Sequence, residues 1–333
     1  MHYNPIPDYA DDYLTFVAKE SGTFTFTPKN SNVISYSTDN GETWTDGNSV
    51  EVSNGGKVLW KGTMTPGSYS GIGNFGSTGN FDVQGNPMSL LFGDDYKGET
   101  DLTGKNYVFQ YLFSGNTKVV NAENLSLPAT TLAGSCYNYM FAGCTNLVTA
   151  PDLPAETLAN GCYTYMFYGC TNLTSAPELP ATTLTSNCYS YMFQYCTSLT
   201  TAPELPATTL TSNCYSYMFY GCTNLTTAPE LPATTLALSC YNNMFRGCTN
   251  LTTAPELPAT TLATQCYAYM FEGCSNLNYI KAMFTTTPSS TYTYQWVGGV
   301  SATGTFVKNS AAEWDVSGVN GIPNGWTVQT ASA

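Results

Sequence analysis

Charge is scarce in this chain. Only 10% of its 333 residues are Asp, Glu, Lys or Arg, against about 25% in a typical soluble domain. Basic residues are the scarcer kind: ten Lys and Arg face 23 Asp and Glu, a formal net charge of −13. Phosphate recognition needs clustered Lys and Arg, so nucleic acid is excluded as a partner, and an anionic membrane surface is disfavoured on the same ground. The sole histidine is His2, which leaves no Ser-His or Cys-His pair for nucleophilic catalysis. No P-loop and no G-x-G-x-x-G opening a helix is present. No run of about 18 apolar residues exists, so no membrane insertion is expected. The opening MHYNPIPDYADDY has neither a charged n-region nor an apolar h-region. Together with a Tyr/Thr/Asn-rich, Lys-poor composition, this gives the expectation of an exported chain whose leader is absent from the sequence.

What is present is periodic. A unit reading CYxYMFxGCTNLTxAPELPATTLxxx recurs every 26 residues. Its first cysteine falls at Cys136, Cys162, Cys188, Cys214, Cys240 and Cys266, and its second at Cys144, Cys170, Cys196, Cys222, Cys248 and Cys274. A fixed period of this length signals a solenoid, whose units bury their apolar faces only against their neighbours. Val108-Phe-Gln-Tyr-Leu-Phe-Ser-Gly-Asn116 aligns with Cys136–Cys144 as a degenerate first unit. Within a unit, Cys188, Met192 and Cys196 lie at i, i+4 and i+8, with Tyr189 and Phe193 beside them, a pattern that predicts one side of a short helix. Pro203 and Pro206 lack an N–H, so the ladder-forming strand is expected to be short, about residues 198–202, and to end before them.

This pattern resembles the BspA-type leucine-rich repeat of bacterial surface antigens, whose units carry LxxIxIP…AFxxC. The matching residues are, for example, Leu225-Thr-Thr-Ala-Pro-Glu-Leu-Pro232 and Met218-Phe-Tyr-Gly-Cys222. The unit here is longer than the family's and carries an extra first cysteine. The resemblance implies a bacterial cell-surface location, adhesion, and contact with host or polymer.

The expected fold class is α+β: a leucine-rich-repeat solenoid of short parallel strands and short helices over residues 103–284. Residues 1–12 are expected as a flexible tail, 13–102 as a small β-sandwich, and 285–333 as a β cap carrying Trp296, Trp314 and Trp326. Within 13–102, strands are read at Tyr13–Val17, Thr23–Thr27, Val33–Ser37, Ser49–Ser53 and Lys57–Lys61, while Thr65–Gly85 reads as loop. Ser37-Thr-Asp-Asn-Gly-Glu-Thr-Trp44 looks like the Asp-box hairpin of sialidase propellers. A single copy makes only a hairpin, held by Asp39 and anchored by Trp44.

Candidate sites follow the period. Tyr137, Tyr163, Tyr189, Tyr215, Tyr241 and Tyr267 form one ladder, expected to pack on the core. Tyr139, Tyr165, Tyr191, Tyr217 and Tyr269 form a second, interrupted by Asn243, and are the candidate ligand-binding residues. Asp152, Glu178, Glu204, Glu230 and Glu256 form an acidic stripe, solvated on the plainer reading and a calcium ladder on the other. Asp94, Asp95, Glu99 and Asp101 read as a hydrated linker before a metal site. The cysteines read first as two ladders of buried thiols, then as disulfides, and last as metal ligands, since C-x7-C without histidine does not match zinc spacing. No cofactor and no catalytic residue is expected.

The functional reading is a non-enzymatic surface protein for adhesion or recognition of a host protein, matrix component or glycan. A structural spacer or virion component is the alternative and a carbohydrate-active enzyme the third. Contiguous aromatics on the strand face would favour binding; hydroxyls and carboxylates there would favour a spacer.

Overall fold

The computed structural model describes residues 8–331. Residues 1–7 of the expected tail lie outside that range. Its remainder is held: Asp8–Asp11 form a 3-10 turn, and Asn86 Nδ2 donates to Ala10 O (2.9 Å) and Asn86 N to Asp12 O (2.9 Å).

Two sheets open the chain. One is ordered β4-β3-β6-β1-β8-β9, from β1 (Leu14–Ala18), β3 (Ile34–Ser37), β4 (Thr45–Asp46), β6 (Lys57–Gly62), β8 (Phe81–Gly85) and β9 (Val119–Leu125). The other is β5-β2-β7, from β2 (Gly22–Pro28), β5 (Ser49–Val52) and β7 (Gly73–Ser77). They share one aromatic core, with Phe16 on β1 against Phe24 and Phe75, and Trp60 on β6 against Phe75. The stretch read as loop contains β7 and β8. Phe75, Phe81 and Val83 alternate into the core there, and that burial overrides the weak strand preference of the glycines between them.

Both sheets run on into the repeats. On one side β9 pairs parallel with β8, and Asn121 bridges Thr149 in the next unit. On the other, Ile72 N donates to Val108 O (3.1 Å) and Phe75 N to Leu112 O (2.8 Å). The expected boundary at 102/103 therefore separates no two cores: one buried cluster runs from Leu14 to Trp326.

Among the described residues the repeats form no helix, a correction to the short helices expected for the α+β class; one short α-helix, Ser89–Phe92, precedes them. Cys188–Cys196 is a ladder of turns in which every second N–H closes back three residues: Ser190 on Asn187 (3.3 Å), Met192 on Tyr189 (3.3 Å), Gln194 on Tyr191 (3.2 Å). The N–H groups between them leave the unit, from Tyr189 to Cys214 O (3.1 Å), Tyr191 to Ser216 O (2.9 Å) and Phe193 to Met218 O (3.0 Å). Asn187, Tyr191 and Tyr195 sit at φ of 58°, 60° and 62°, at the third position of alternate turns, where a type II turn requires positive φ. A left-handed residue every fourth position breaks the i→i−4 bonding of a helix.

The strands of the interior units shrink to single parallel bridges, such as Thr201–Thr227, and to the row Thr131–Thr157–Thr183–Thr209–Thr235. Proline supplies no N–H to extend them. The end units show the converse. β9 carries Glu123 where later units carry proline, β10 (Tyr279–Ala282) carries Lys281, and both are full strands.

Inside the stack, Phe113, Phe141, Phe167, Phe193, Phe219, Phe245 and Phe271 form a fully buried column, centroids 5.1–5.8 Å apart and planes within 14°. Tyr137 through Tyr267 form a second buried column at 5.6–6.0 Å. The C-terminal segment, expected as a β cap over residues 285–333 covering the last repeat, continues the stack. Phe271 N donates to Trp296 O (2.8 Å) and Gly273 N to Gly298 O (2.7 Å). β10, β11 (Thr305–Lys308) and β12 (Thr327–Thr330) form a parallel sheet. Trp296 and Trp314 cover the last rungs, donating indole N–H to Gly321 O (2.8 Å) and Phe284 O (3.1 Å).

Candidate binding surface

The five candidate tyrosines lie on the turn ladder, at its central left-handed position. Positive φ turns each side chain away from the core, so all five are half-buried where the neighbouring tyrosine ladder is fully buried. Four of them join Tyr111 in a stack, Tyr111–Tyr139–Tyr165–Tyr191–Tyr217, with centroid steps of 4.9, 4.3, 4.2 and 4.4 Å and planes within 23°. The rings cover one another's faces, and the row as a whole stays half in solvent. A second file flanks them: Tyr168 is T-shaped against Tyr165 (5.7 Å) and against Tyr195 (5.7 Å), and Tyr220 meets Tyr195 (5.2 Å) and Tyr217 (6.0 Å).

The break at Asn243 is filled. Asn tolerates the left-handed site readily and takes it at φ 56°. Arg246, the one basic residue between Cys136 and Cys274, sets its guanidinium 5.0 Å from the Tyr269 ring and 5.6 Å from the Tyr220 ring. It donates to Asn243 Oδ1 (3.2 Å) and pairs with Glu272 (2.6 Å). Tyr269, cut off from the stack, instead meets Tyr294 edge-on at 5.2 Å. Burial raises the hydroxyls of Tyr139, Tyr165 and Tyr217 above the usual phenol range, and a hydrogen bond to Tyr220 raises Tyr195. The surface is thus aromatic, hydroxylated and almost uncharged. Tyr168, Tyr195, Tyr220 and Tyr294 escape a reading by period, because Tyr195 stands where other units carry glycine and the others recur at irregular rungs.

Asp152, Glu178, Glu204, Glu230 and Glu256 are all exposed on the proline-bearing segment, away from the turn ladder. Glu256 pairs with Lys281 (3.0 Å). Asp94 is tied to Lys61 Nζ and Tyr13 Oη, each at 2.7 Å, so the acids before the repeats do not converge. Among the described residues no three His, Cys, Asp or Glu side chains gather as metal ligands. The segment expected as a strand face carries exposed hydroxyls at Thr174, Thr200, Thr226 and Thr252 beside these carboxylates.

The twelve cysteines are free and buried. In the second file each Sγ–H donates to a phenylalanine carbonyl of the preceding unit, Cys170 to Phe141, Cys196 to Phe167 and Cys222 to Phe193, at 3.0–3.1 Å. Asn116 stands first in that file and makes the equivalent bond to Phe75 O (3.1 Å). Val108 heads the first file as a fully buried apolar residue. Burial pushes every thiol upward, to about 12 for Cys136, Cys266 and Cys274 and about 11 for Cys214.

The Asp-box segment closes the β3–β4 hairpin. Ser37 Oγ donates to Asp39 Oδ1 (2.6 Å), Thr43 N to Asp39 Oδ1 (2.9 Å), and Gly41 N to Ser37 Oγ (2.8 Å). Trp44 lies under Lys61 Nζ at 4.2 Å and against Tyr13 at 4.9 Å.

Units hydrogen-bonded rung to rung, with one aromatic file buried and another displayed, define a stacked leucine-rich-repeat protein. The BspA type leucine rich repeat region matches in six copies, over residues 106–228 and 160–297. The chain belongs to that family, whose repeats typically serve protein binding at bacterial surfaces. No curated protein and no solved structure matches the chain. Among the described residues no helix is long and apolar enough to cross a membrane.

Proposed function

We propose that this chain is a non-enzymatic bacterial cell-surface protein that adheres to a host protein, matrix component or glycan along the tyrosine-bearing side of its solenoid. The observation that carries this reading is the half-exposed tyrosine stack with its flanking file and Arg246. Tyr and Arg dominate interface hot spots, and Tyr offers rigid area at low entropic cost. Because the rings cover one another's faces, a sugar can stack only at the ends of the column, so a protein partner fits its length better than a glycan. The non-enzymatic part rests on the state of the reactive groups: the thiols are buried and held protonated, and the shifted phenols are neutral at physiological pH. The Thr and Glu side has the chemistry of a spacer surface, and no ligand is assigned to it.

The test is an array of immobilised matrix proteins and glycans probed with the full chain. Tyr191→Ala should weaken capture about tenfold or more, the scale of a hot-spot loss, while Glu204→Gln leaves it unchanged. Capture that survives a Tyr165/Tyr191/Tyr217→Ala triple variant with native circular dichroism would refute the assignment.

A further inference from the structure

A second site lies away from the repeats, on the outer side of the six-stranded sheet. There Asp11, Asp12, Tyr13, Thr15, Asn40, Lys57, Leu59, Gln84 and Lys97 enclose a half-open cleft of about 300 Å³. Its floor is three strands in register, with Thr15 on β1 opposite Leu59 on β6 and Gln84 on β8. Its walls are fixed before any ligand arrives. Asn86 ties down the Ala10 and Asp12 carbonyls at 2.9 Å, and Tyr96 Oη donates to Asp11 O. Asn40 sits at the tip of the Asp-box hairpin, at φ 58°, where the Ser37–Asp39–Thr43 bonds hold it.

The charges around this cleft are used differently from those beside it. Lys19 pairs with Asp82 and Lys61 with Asp94, both at 2.7 Å. Asp11, Asp12, Lys57 and Lys97 make no ion pair among the described residues. They line one pocket together with two amides and Thr15, whose hydroxyl already donates to Tyr13 O (2.8 Å). That set supplies acceptors only from the carboxylates, donors only from the ammoniums, and both from Asn40 and Gln84. Two carboxylates repel a phosphate or nucleotide, two ammoniums repel a free cation, and Leu59 alone offers too little apolar wall for a lipid. A compact, neutral, polyhydroxylated molecule meets the carboxylates, ammoniums and amides with hydrogen bonds, and the volume falls at the small end of ligand sites.

We propose that this cleft binds one hexose-sized sugar unit, independently of the tyrosine column. The test is saturation-transfer NMR on the full chain with methyl glycosides of glucose, galactose, mannose and N-acetylglucosamine at about 10 mM, where millimolar binders register. At least one glycoside should show transfer, reduced about tenfold or more in Asn40→Ala/Gln84→Ala and unchanged in Tyr191→Ala. Asn40→Ala strains a left-handed position, so near-UV circular dichroism checks that the double variant is native. No transfer from any of the four, or transfer that survives the native double variant, overturns the proposal. Displacement of the glycoside signal by glycine betaine but by no second sugar would overturn it in favour of a zwitterionic ligand.

Discussion

Alkali should unfold the reduced protein abruptly, and the cysteine files set where. All twelve thiols have folded pKa values raised by burial, the least shifted printed being Cys214 at about 11. In the unfolded chain a thiol ionises near 8.5. Above that pH the unfolded state therefore holds fewer protons than the folded one, and stability falls as pH rises. The contribution of these thiols is complete below about pH 8 and is lost through the window between about 8.5 and the folded values. At pH 9 each thiol costs roughly 0.8 kcal/mol, so the twelve together cost about 10 kcal/mol. The slope then approaches about −16 kcal/mol per pH unit. A typical folded state is worth about 5–15 kcal/mol, which places the transition between about pH 8.5 and about pH 9.4. The six buried tyrosines are raised in the same direction and would add their share only above about pH 10.

The assay follows near-UV circular dichroism and thiolate absorbance across the pH range, with reductant present throughout. Both should change together in one steep step. Changing Cys170, Cys196, Cys222 and Cys248 to serine keeps a donor for each phenylalanine carbonyl and removes four titrating groups. For a protein of about 10 kcal/mol, this should move the midpoint up by about 0.4 unit. Native dichroism persisting at about pH 10.5, or thiolates appearing near pH 8.5–9 while the dichroism stays native, would refute the reasoning.

Three further outcomes are expected. Phe193→Ala opens a cavity in the buried column and should cost about 3–5 kcal/mol in denaturant unfolding, whereas a cost under about 1 kcal/mol would mean the column is not close-packed. Gly247→Ala meets only ordinary contacts, the nearest being Gly221 Cα at 3.8 Å, and strains a backbone at φ 74°, so it should cost about 1–2 kcal/mol. Gly221→Ala puts its Cβ 2.5 Å from the Tyr195 ring and should cost at least about 1 kcal/mol more, a difference that Tyr195→Gly abolishes. Asp39, lowered to about 2 by its bonds from Ser37 and Thr43, stabilises the hairpin fully above its unfolded value of about 3.9. That support is lost as pH falls through about 2, so Trp44 fluorescence should report local loosening there, and Asp39→Asn should remove the pH dependence.

How much of this could be read from the chain depends on which physical rule left a mark in it. The 26-residue period fixed the stacking of like residues, because rung-to-rung hydrogen bonds need identical spacing and the Phe and Tyr columns need identical side chains. The helix expectation fails for a definite reason. Burial at Cys188, Met192 and Cys196 has a spacing of four, and a ladder of turns repeating every four residues buries the same positions as a helix face. The residues that separate the two sit in other columns. One is Ser135, Gly161, Asn187, Asn213, Ser239 and Gln265; the other is Gly143, Gly169, Gly221, Gly247 and Gly273; both are at positive φ. Small or glycine residues four apart on either side of the tyrosines point to recurring left-handed backbone, and a helix would have no use for them. The tyrosines between hide this, since Tyr is an unfavourable residue for that conformation. Each accepts a local cost of order 1–2 kcal/mol, which interior burial does not repay because the rings are half in solvent. Five such residues stand in one file at the position that turns them outward, and they form a displayed row rather than part of the buried core.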